Sequence, residues 1–508
     1  MATNQKKIGI IISYINILAN NLIILFYIPF LLRNLGQEDF GLYQLINTVI
    51  STLSLLSMGF SSAYIPFYTR YKEADDKDGM KSLNGLYLLL FTGMSVVAII
   101  IGSVMIQNST ALLPELANQT QVQLAKVLMT FMIINIALSF PASVFESNII
   151  AQEQFRFNQS LRLLILIVKP IIVIPLILLG MNAVAIVIVQ TLLGVVTLIS
   201  NASFAICKLE MKFQFKSFPK AVFKEVAIFS SFIMLGKIIG LANNSIPNFI
   251  IGGSLGFREV TTYAMTLKIK RIFSQLSFTI SKVFVPELNR MVVNQGNMTQ
   301  LTNLMIKVGR LQFAILTFMF GGFITTGRFF VSSWAGDENS MIYPLLIIIC
   351  AINLIPWCQM LGGDIQKAMN KHRFRSVVSF ILAVVNIILT YILVNTIGII
   401  GAVIAFAITI LIGHGILNNY YYHRLGLDIL LFWKKMLNIL IPFFASTAFS
   451  LLIQQWVEVS NFWLFLLFGL LYTIIFLIVY LRYAANNEEK QQIRQLQQSM
   501  KRLLTRSA

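Results

Sequence analysis

Cations in the middle of long apolar stretches are the residues of this sequence most able to do chemistry. Lys169 and Lys237 each lie about ten residues inside the stretch that carries them, and Lys268 and Arg271 lie at a similar depth from the other end of theirs. At about 1.5 Å per helical residue, all four come near the midplane of a bilayer. A Lys so deep has no easy reach to a head group, and an intramembrane charge marks function by default. Lys268, Arg271, Gln275 and Lys282 follow spacings of three, four and seven and so share one helix face, while Lys270 points elsewhere. None of the 20 Asp and Glu residues falls near the centre of an apolar stretch. The cations therefore either tie helices together through ion pairs, for which carboxylates of matching depth are missing, or line a wet cavity for an anion. Phosphate or pyrophosphate is the anion that Arg and Lys suit best.

The elements that position these residues are membrane helices. Hydrophobic residues make up 57% and charged residues 12% of the 508, and mean hydropathy is +0.77, whereas a soluble chain is roughly 25% charged. Apolar stretches fall at 8–32, 41–67, 83–106, 124–150, 160–179 and 182–206, then at 226–250, 258–287, 304–330, 341–366, 377–396, 399–422, 437–457 and 460–482. The expected fold is thus an all-α integral membrane protein of about fourteen spans.

Lys and Arg crowd alternate connections: Lys6-Lys7, Arg70 to Lys81, Lys208 to Lys224, Arg290 to Arg310, Lys367 to Arg375, His423 to Lys435 and the tail. The opposite set, such as Gln107 to Gln123 and Ser332 to Ser340, has none, so both termini are expected in the cytoplasm. The net charge of +19 is explained by this topology and by anionic lipid, with no sign of a nucleic-acid partner. The first stretch lacks a cleavage site and is expected to remain as a span. Cys207, Cys350 and Cys358 show no metal spacing, and no G-x-x-x-x-G-K-[ST] loop is present for ATP. No cofactor and no catalytic motif are expected. His414 offers either a proton relay or a hydrogen bond between helices.

An internal repeat runs at an offset of 220 residues. Leu35-Gly36, Tyr43, Pro66 and Arg70 recur as Leu255-Gly256, Tyr263, Pro286 and Arg290, and Pro141, Ala151 and Arg156-Phe157 echo as Pro356, Ala368 and Arg373-Phe374. Two parallel six-helix lobes follow, 1–206 and 226–423, joined by a basic linker at 207–225 and followed by two extra helices within 424–482 and an amphipathic tail at 483–508. Repeat-built transporters hold substrate between such halves. Polar stripes on the paired opening helices support a wet interior: Ser13, Asn16 and Asn20; Gln44, Asn47, Ser51, Ser54 and Ser61; Ser230, Lys237 and Asn244. Each stripe alone also fits an interhelical seam. At the cytoplasmic ends, Arg70, Arg156, Arg290 and Arg373 gather near Glu146, Glu287 and Asp364, and pairs among them would close an inner gate. Ordinary topogenic charge is the competing account. The tail presents Ile493, Leu496, Met500 and Leu503 beside basic residues, as an interfacial helix does.

Leu35-Gly36-Gln37-Glu38-Asp39-Phe40-Gly41-Leu42-Tyr43, Met58-Gly59-Phe60 and Phe140-Pro141 resemble the oligosaccharidyl-lipid flippases of the polysaccharide transporter family, the Wzx-like branch of the MATE-type MOP superfamily. The similarity spans essentially the whole chain in span number, orientation and repeat. It implies MATE-like lobes in a bacterial cytoplasmic (inner) membrane that move an undecaprenyl-pyrophosphate-linked oligosaccharide to the outer leaflet by alternating access. Surface polysaccharide of the lipopolysaccharide O-antigen kind would be the product, with a coupling ion and the polysaccharide polymerase machinery as further partners. The family lines its cavity with cations, a role that falls here to Lys237, Lys268 and Arg271, with Lys169, Gln275, Asn20, Gln44, Asn47 and Asn244 as further candidates. The rivals are a MATE-type drug or metabolite antiporter, which for a cationic drug would favour an acidic site, and a membrane glycan polymerase or ligase, which would need a large outer loop.

Overall fold

In a bilayer each backbone N–H and C=O must be paired within its own segment, so long apolar runs become helices. The computed structural model describes residues 2–112, 118–215, 225, 230, 239–243, 245–294, 297–371 and 373–491. Its main helices are α1 (Ala2–Leu53), α2 (Leu55–Glu73), α3 (Lys77–Gln107), α4 (Gln119–Ala151), α5 (Phe155–Leu178), α6 (Asn182–Ser203), α7 (Ile246–Leu255) and α8 (Phe257–Val293). They continue as α9 (Met298–Ala335), α10 (Ile342–Cys358), α11 (Met360–Ala368), α12 (Arg373–Ile397), α13 (Ile399–Ile410), α14 (Ile429–Gln454) and α15 (Phe462–Val479).

Eleven helices among the described residues are long and apolar enough to span a membrane, against the fourteen stretches read from sequence. The difference has three sources. The stretch 41–67 begins after the non-helical Gly36 that divides α1 and runs on into α2, so along α1 it is counted together with the first stretch. The stretch 226–250 lies mostly outside the described residues. Helix α8 is continuous, but Lys268, Lys270, Arg271 and Lys282 along it hold its apolarity below the level of the others.

The chain gathers into two compact units, Met1–Ala264 with Asn386–Ala402, and Met265–Val385 with Val403–Ala508. In the first, α4 packs against α3, α6, α2 and α1. Its core is tied by a polar chain: Tyr64 Oη donates to Asn84 Oδ1 at 2.6 Å, Asn148 Nδ2 donates to Tyr64 Oη at 2.8 Å, and Asn84 Nδ2 donates to the Lys212 carbonyl at 2.9 Å. Because no water competes inside, such a satisfied network fixes helix register where apolar surface cannot. It also straps the described start of the basic linker, through Phe215, onto α3, where Gln214 N–H donates to the Lys81 carbonyl at 3.0 Å. In the second unit α9 is the central helix, packed on α14, α10 and α15. Ser277 Oγ donates to the Trp357 carbonyl at 2.6 Å and Gln312 Nε2 to the Ser277 carbonyl at 2.9 Å, pinning α8, α9 and α10 together.

The repeated Leu-Gly pair has a conformational cause. Gly36 sits at φ 78°, ψ 168° and kinks α1; Gly256 sits at φ 102°, ψ 176° between α7 and α8. Both lie in the region open essentially to glycine alone. The two copies also touch within the first unit. Thr261 Oγ1 donates to the Gln37 carbonyl at 2.7 Å, and a Cβ on Gly41 would collide with the Phe257 carbonyl. Gly36→Ala and Gly256→Ala are each expected to lower stability by about 1–3 kcal/mol, read as a drop in the thermal unfolding midpoint of the purified protein. Gly93→Ala, at a helical glycine with open space around it, should leave the midpoint unchanged or raise it. Equal midpoints for all three variants would show that the kinks are not strained for alanine.

Candidate functional site

Lys169 projects from α5 and its Nζ donates to Gln190 Oε1 on α6 at 2.8 Å. Gln190 Nε2 in turn reaches Asn135 Oδ1 on α4 at 3.5 Å, and Asn135 Nδ2 donates to the Gln190 carbonyl at 2.9 Å. The ammonium is thus held by amides, which orient it without cancelling its charge. A seam between helices and an uncompensated cation are the same structure at this point.

Helix α8 is a single run, so the face read from spacing exists. Met265, Ile269, Phe273, Ser277 and Ser281 form its buried stripe, while Lys268 and Gln275 are half-buried and Arg271 is exposed. Gln275 Oε1 is buried without a hydrogen-bond partner among the described residues. Lys270 departs from this face as expected: its Nζ lies 4.1 Å from the Phe406 ring centroid, a cation–π contact. Lys282 lies over Phe278 at 4.3 Å. Lys237 and Asn244 fall outside the described residues.

The polar stripes divide. Asn16 Nδ2 donates to the carbonyl and Oε1 of Gln159 at 3.0 and 3.1 Å, a seam between α1 and α5. Ser51 and Ser54 hydroxyls return to carbonyls of their own helical run. Asn20, Gln44 and Asn47 are half-buried and remain the stripe positions suited to a ligand. His414 Nδ1 lies 3.2 Å from Asn418 Nδ2, four residues further along the same helical run.

Three of the seven gate residues, Arg70, Glu146 and Asp364, pair with residues outside the set. Arg70 pairs with Glu225 at 3.1 Å and lies over Phe67. Glu146 pairs with Arg162 on α5, and Asp364 accepts from Lys367 at 3.1 Å and from Ser281 Oγ at 3.4 Å. Arg156 and Arg373 are exposed, and Glu287 and Arg290 line a cleft in the second unit. Exposed pairs of this kind contribute roughly 0–1 kcal/mol.

Sequence reasoning passed over Arg310, which sits in a run of basic residues read as topogenic. It is 3% exposed. Its Nε and Nη2 donate to the two carboxylate oxygens of Glu489 at 2.8 and 2.9 Å, and its Nη1 and Nη2 to the carbonyls of Lys435 and Ala484 at 2.6 and 2.7 Å. Tyr480 Oη and the Asn486 N–H also donate to Glu489, whose own N–H donates to Asn486 Oδ1. Asn486-Asn487-Glu488-Glu489 is a capping box, the one signal in the sequence that could have found this knot. Burial pulls the Glu489 carboxyl upward, but the bonds from Arg310, Asn486 and Tyr480 outweigh it and hold the group below its ordinary value of 4.5.

Residues 30–338 match the family described as polysaccharide biosynthesis protein. The chain belongs to that family. Its relatives include the uncharacterized membrane protein EpsK of Bacillus subtilis (strain 168), 22% identical over 411 residues that cover 78% of this chain and 79% of EpsK. The family member's fold is similar to that of a solved structure of the lipid II flippase MurJ, captured in its inward closed conformation, with TM-score 0.73, 14% identity and coverage of 93% of this chain and 97% of that one. It also matches an inward-facing multidrug resistance MATE family transporter of the MOP superfamily, with TM-score 0.63, 15% identity and coverage of 84% and 99%. This family member is therefore a multi-pass membrane protein of MurJ/MATE fold, and the solved structures that share this fold are those of a flippase and a multidrug resistance transporter.

The Arg310 knot generates a pH prediction for the family member. A carboxyl whose folded pKa is depressed contributes stability that is complete above the unfolded value and is lost as pH falls through the folded value. The thermal midpoint of the wild type should therefore decline below about pH 4.5, and Glu489→Gln should flatten that acid limb. Arg310→Ala, which leaves the half-buried carboxylate with only its Tyr480 and Asn486 donors, should destabilise by about 1.5–3 kcal/mol. An acid limb identical in wild type and Glu489→Gln would refute this account.

Proposed function

We propose that the chain moves a polyprenyl-pyrophosphate-linked oligosaccharide from the inner to the outer leaflet of the cytoplasmic membrane by alternating access, for surface polysaccharide assembly. The observation that carries this reading is the sign of the charges deep in the spans. Lys169 is held by neutral amides, and Lys268 and Arg271 stand off the buried stripe of α8. A diphosphate head group leaving water needs cations at fixed positions, because Arg and Lys replace its hydration with charge-assisted hydrogen bonds. The half-buried amides Asn20, Gln44 and Asn47 suit the hydroxyls of attached sugars, while the polyprenyl chain stays in lipid.

Membership of a polysaccharide biosynthesis family and the fold shared with a lipid II flippase support the same substrate class. In this reading both termini face the cytoplasm, the two six-helix repeats act as the moving lobes, and Lys237 is a further candidate cation and Asn244 a further candidate amide for the substrate. A drug antiporter of the same fold is distinguished by charge sign: an organic cation would meet Lys169, Lys268 and Arg271 as repulsion.

The test is translocation of a fluorescent polyprenyl-pyrophosphate oligosaccharide in vesicles containing the purified chain. Lys268→Gln and Arg271→Gln together should slow it at least about tenfold, since each lost charged hydrogen bond is worth roughly 1.5–3 kcal/mol. Size-exclusion elution should not change. Wild-type rates in the double variant would overturn the proposal, as would uptake of organic cations that depends on a membrane carboxylate.

A further inference from the structure

The second unit holds a cleft of about 1260 Å³ where the ends of α8, α9 and α14 meet the segment after α15. Its wall is made rigid by Arg310, which joins α9 to the α14 carbonyl of Lys435, to the Ala484 carbonyl and to Glu489. Arg310 is fully engaged in that task. Three more cations line the cleft: Arg290, Lys307 and Lys435. All three are exposed, and among the described residues none of them forms an ion pair. Two carboxylates beyond Glu489 also line it, Glu287 and Glu488, so the cations are in excess by one.

Size and place narrow the ligand. The cleft exceeds the roughly 300–1,000 Å³ of pockets that enclose a small molecule, and a bare phosphate would leave most of it empty. It lies among the basic connections assigned to the cytoplasmic face, where cationic pockets between membrane helices take anionic lipid head groups. Apolar residues such as Phe284 and Leu311 line the same cleft and suit the first carbons of an acyl chain. We propose that this cleft binds a phosphate anion, with Lys307 and Lys435 as the principal contacts and a phospholipid head group as the form that fills it. The rigid wall contributes affinity by removing the ordering cost of the site. The proposal is independent of the head-group path along α8, because none of its contacts is shared with Lys268 or Arg271.

The experiment measures binding of soluble short-chain lipids and of inorganic pyrophosphate to the purified full chain. Dihexanoyl phosphatidylglycerol should saturate one site, dihexanoyl phosphatidylcholine should not, and Lys307→Ala with Lys435→Ala should weaken the phosphatidylglycerol site at least about tenfold. The Lys307→Arg with Lys435→Arg variant should restore it. Pyrophosphate binding that shows the same Lys307 and Lys435 dependence, with or without the lipid, also supports a phosphate site and identifies its source. The proposal is overturned if neither ligand binds saturably, or if the double alanine variant binds both with wild-type affinity.

Discussion

A hydrocarbon solvent offers nothing to a polar group, and the rest of this structure follows from that constraint. Backbone amides close on their own helices, and side-chain amides and hydroxyls find carbonyls on the same helix or the next. Thr48 and Ser51 return to their own helical run, whereas Asn16, Ser95 and Asn135 reach a neighbour. Apolar surface gives helices no preference for each other over lipid, so polar crossings and close packing choose the neighbours. Tyr64, Asn84 and Asn148 form such a crossing in the first unit, as do Ser277 and Gln312 in the second.

Charges under the same constraint sort into two kinds. Arg310 is buried against a half-buried Glu489 and every branch of its guanidinium is bonded, which makes the pair structural. Among the described residues the Lys169 ammonium donates to the Gln190 amide oxygen, and Arg271 stands on the exposed side of α8. A cation whose field is oriented but not neutralised keeps its attraction for an anion. The division between these kinds is chemical and does not follow depth alone.

Much of this was legible in the letters. Helix type and approximate extent came from apolar length, and the shared face of Lys268, Arg271 and Gln275 from spacing, because a continuous helix converts spacing into direction. The Leu-Gly repeat was visible as a match, although its cause, a backbone conformation closed to other residues, was not. Ion-pair partners were the illegible part. Glu146 chose Arg162 and Arg70 chose Glu225, since a surface carboxylate answers to helix rotation and neighbour order, which no short pattern records. Arg310 was hidden for a related reason: a buried Arg and a topogenic Arg are the same letter in the same run, and only packing against residues far along the chain separates them.

That distance has a consequence for how the protein is made. Arg310 and Glu489 are 179 residues apart, so at roughly 5–20 residues per second the ribosome needs roughly 10–40 s to deliver the carboxylate after the guanidinium has emerged. During that interval α9 is already synthesised with a cation that has no permanent partner, and α14 has no anchor at its Lys435 carbonyl. Assembly of the second unit thus waits on a segment translated 179 residues after Arg310, so the order of synthesis, and not packing alone, sets when α9 and α14 are joined.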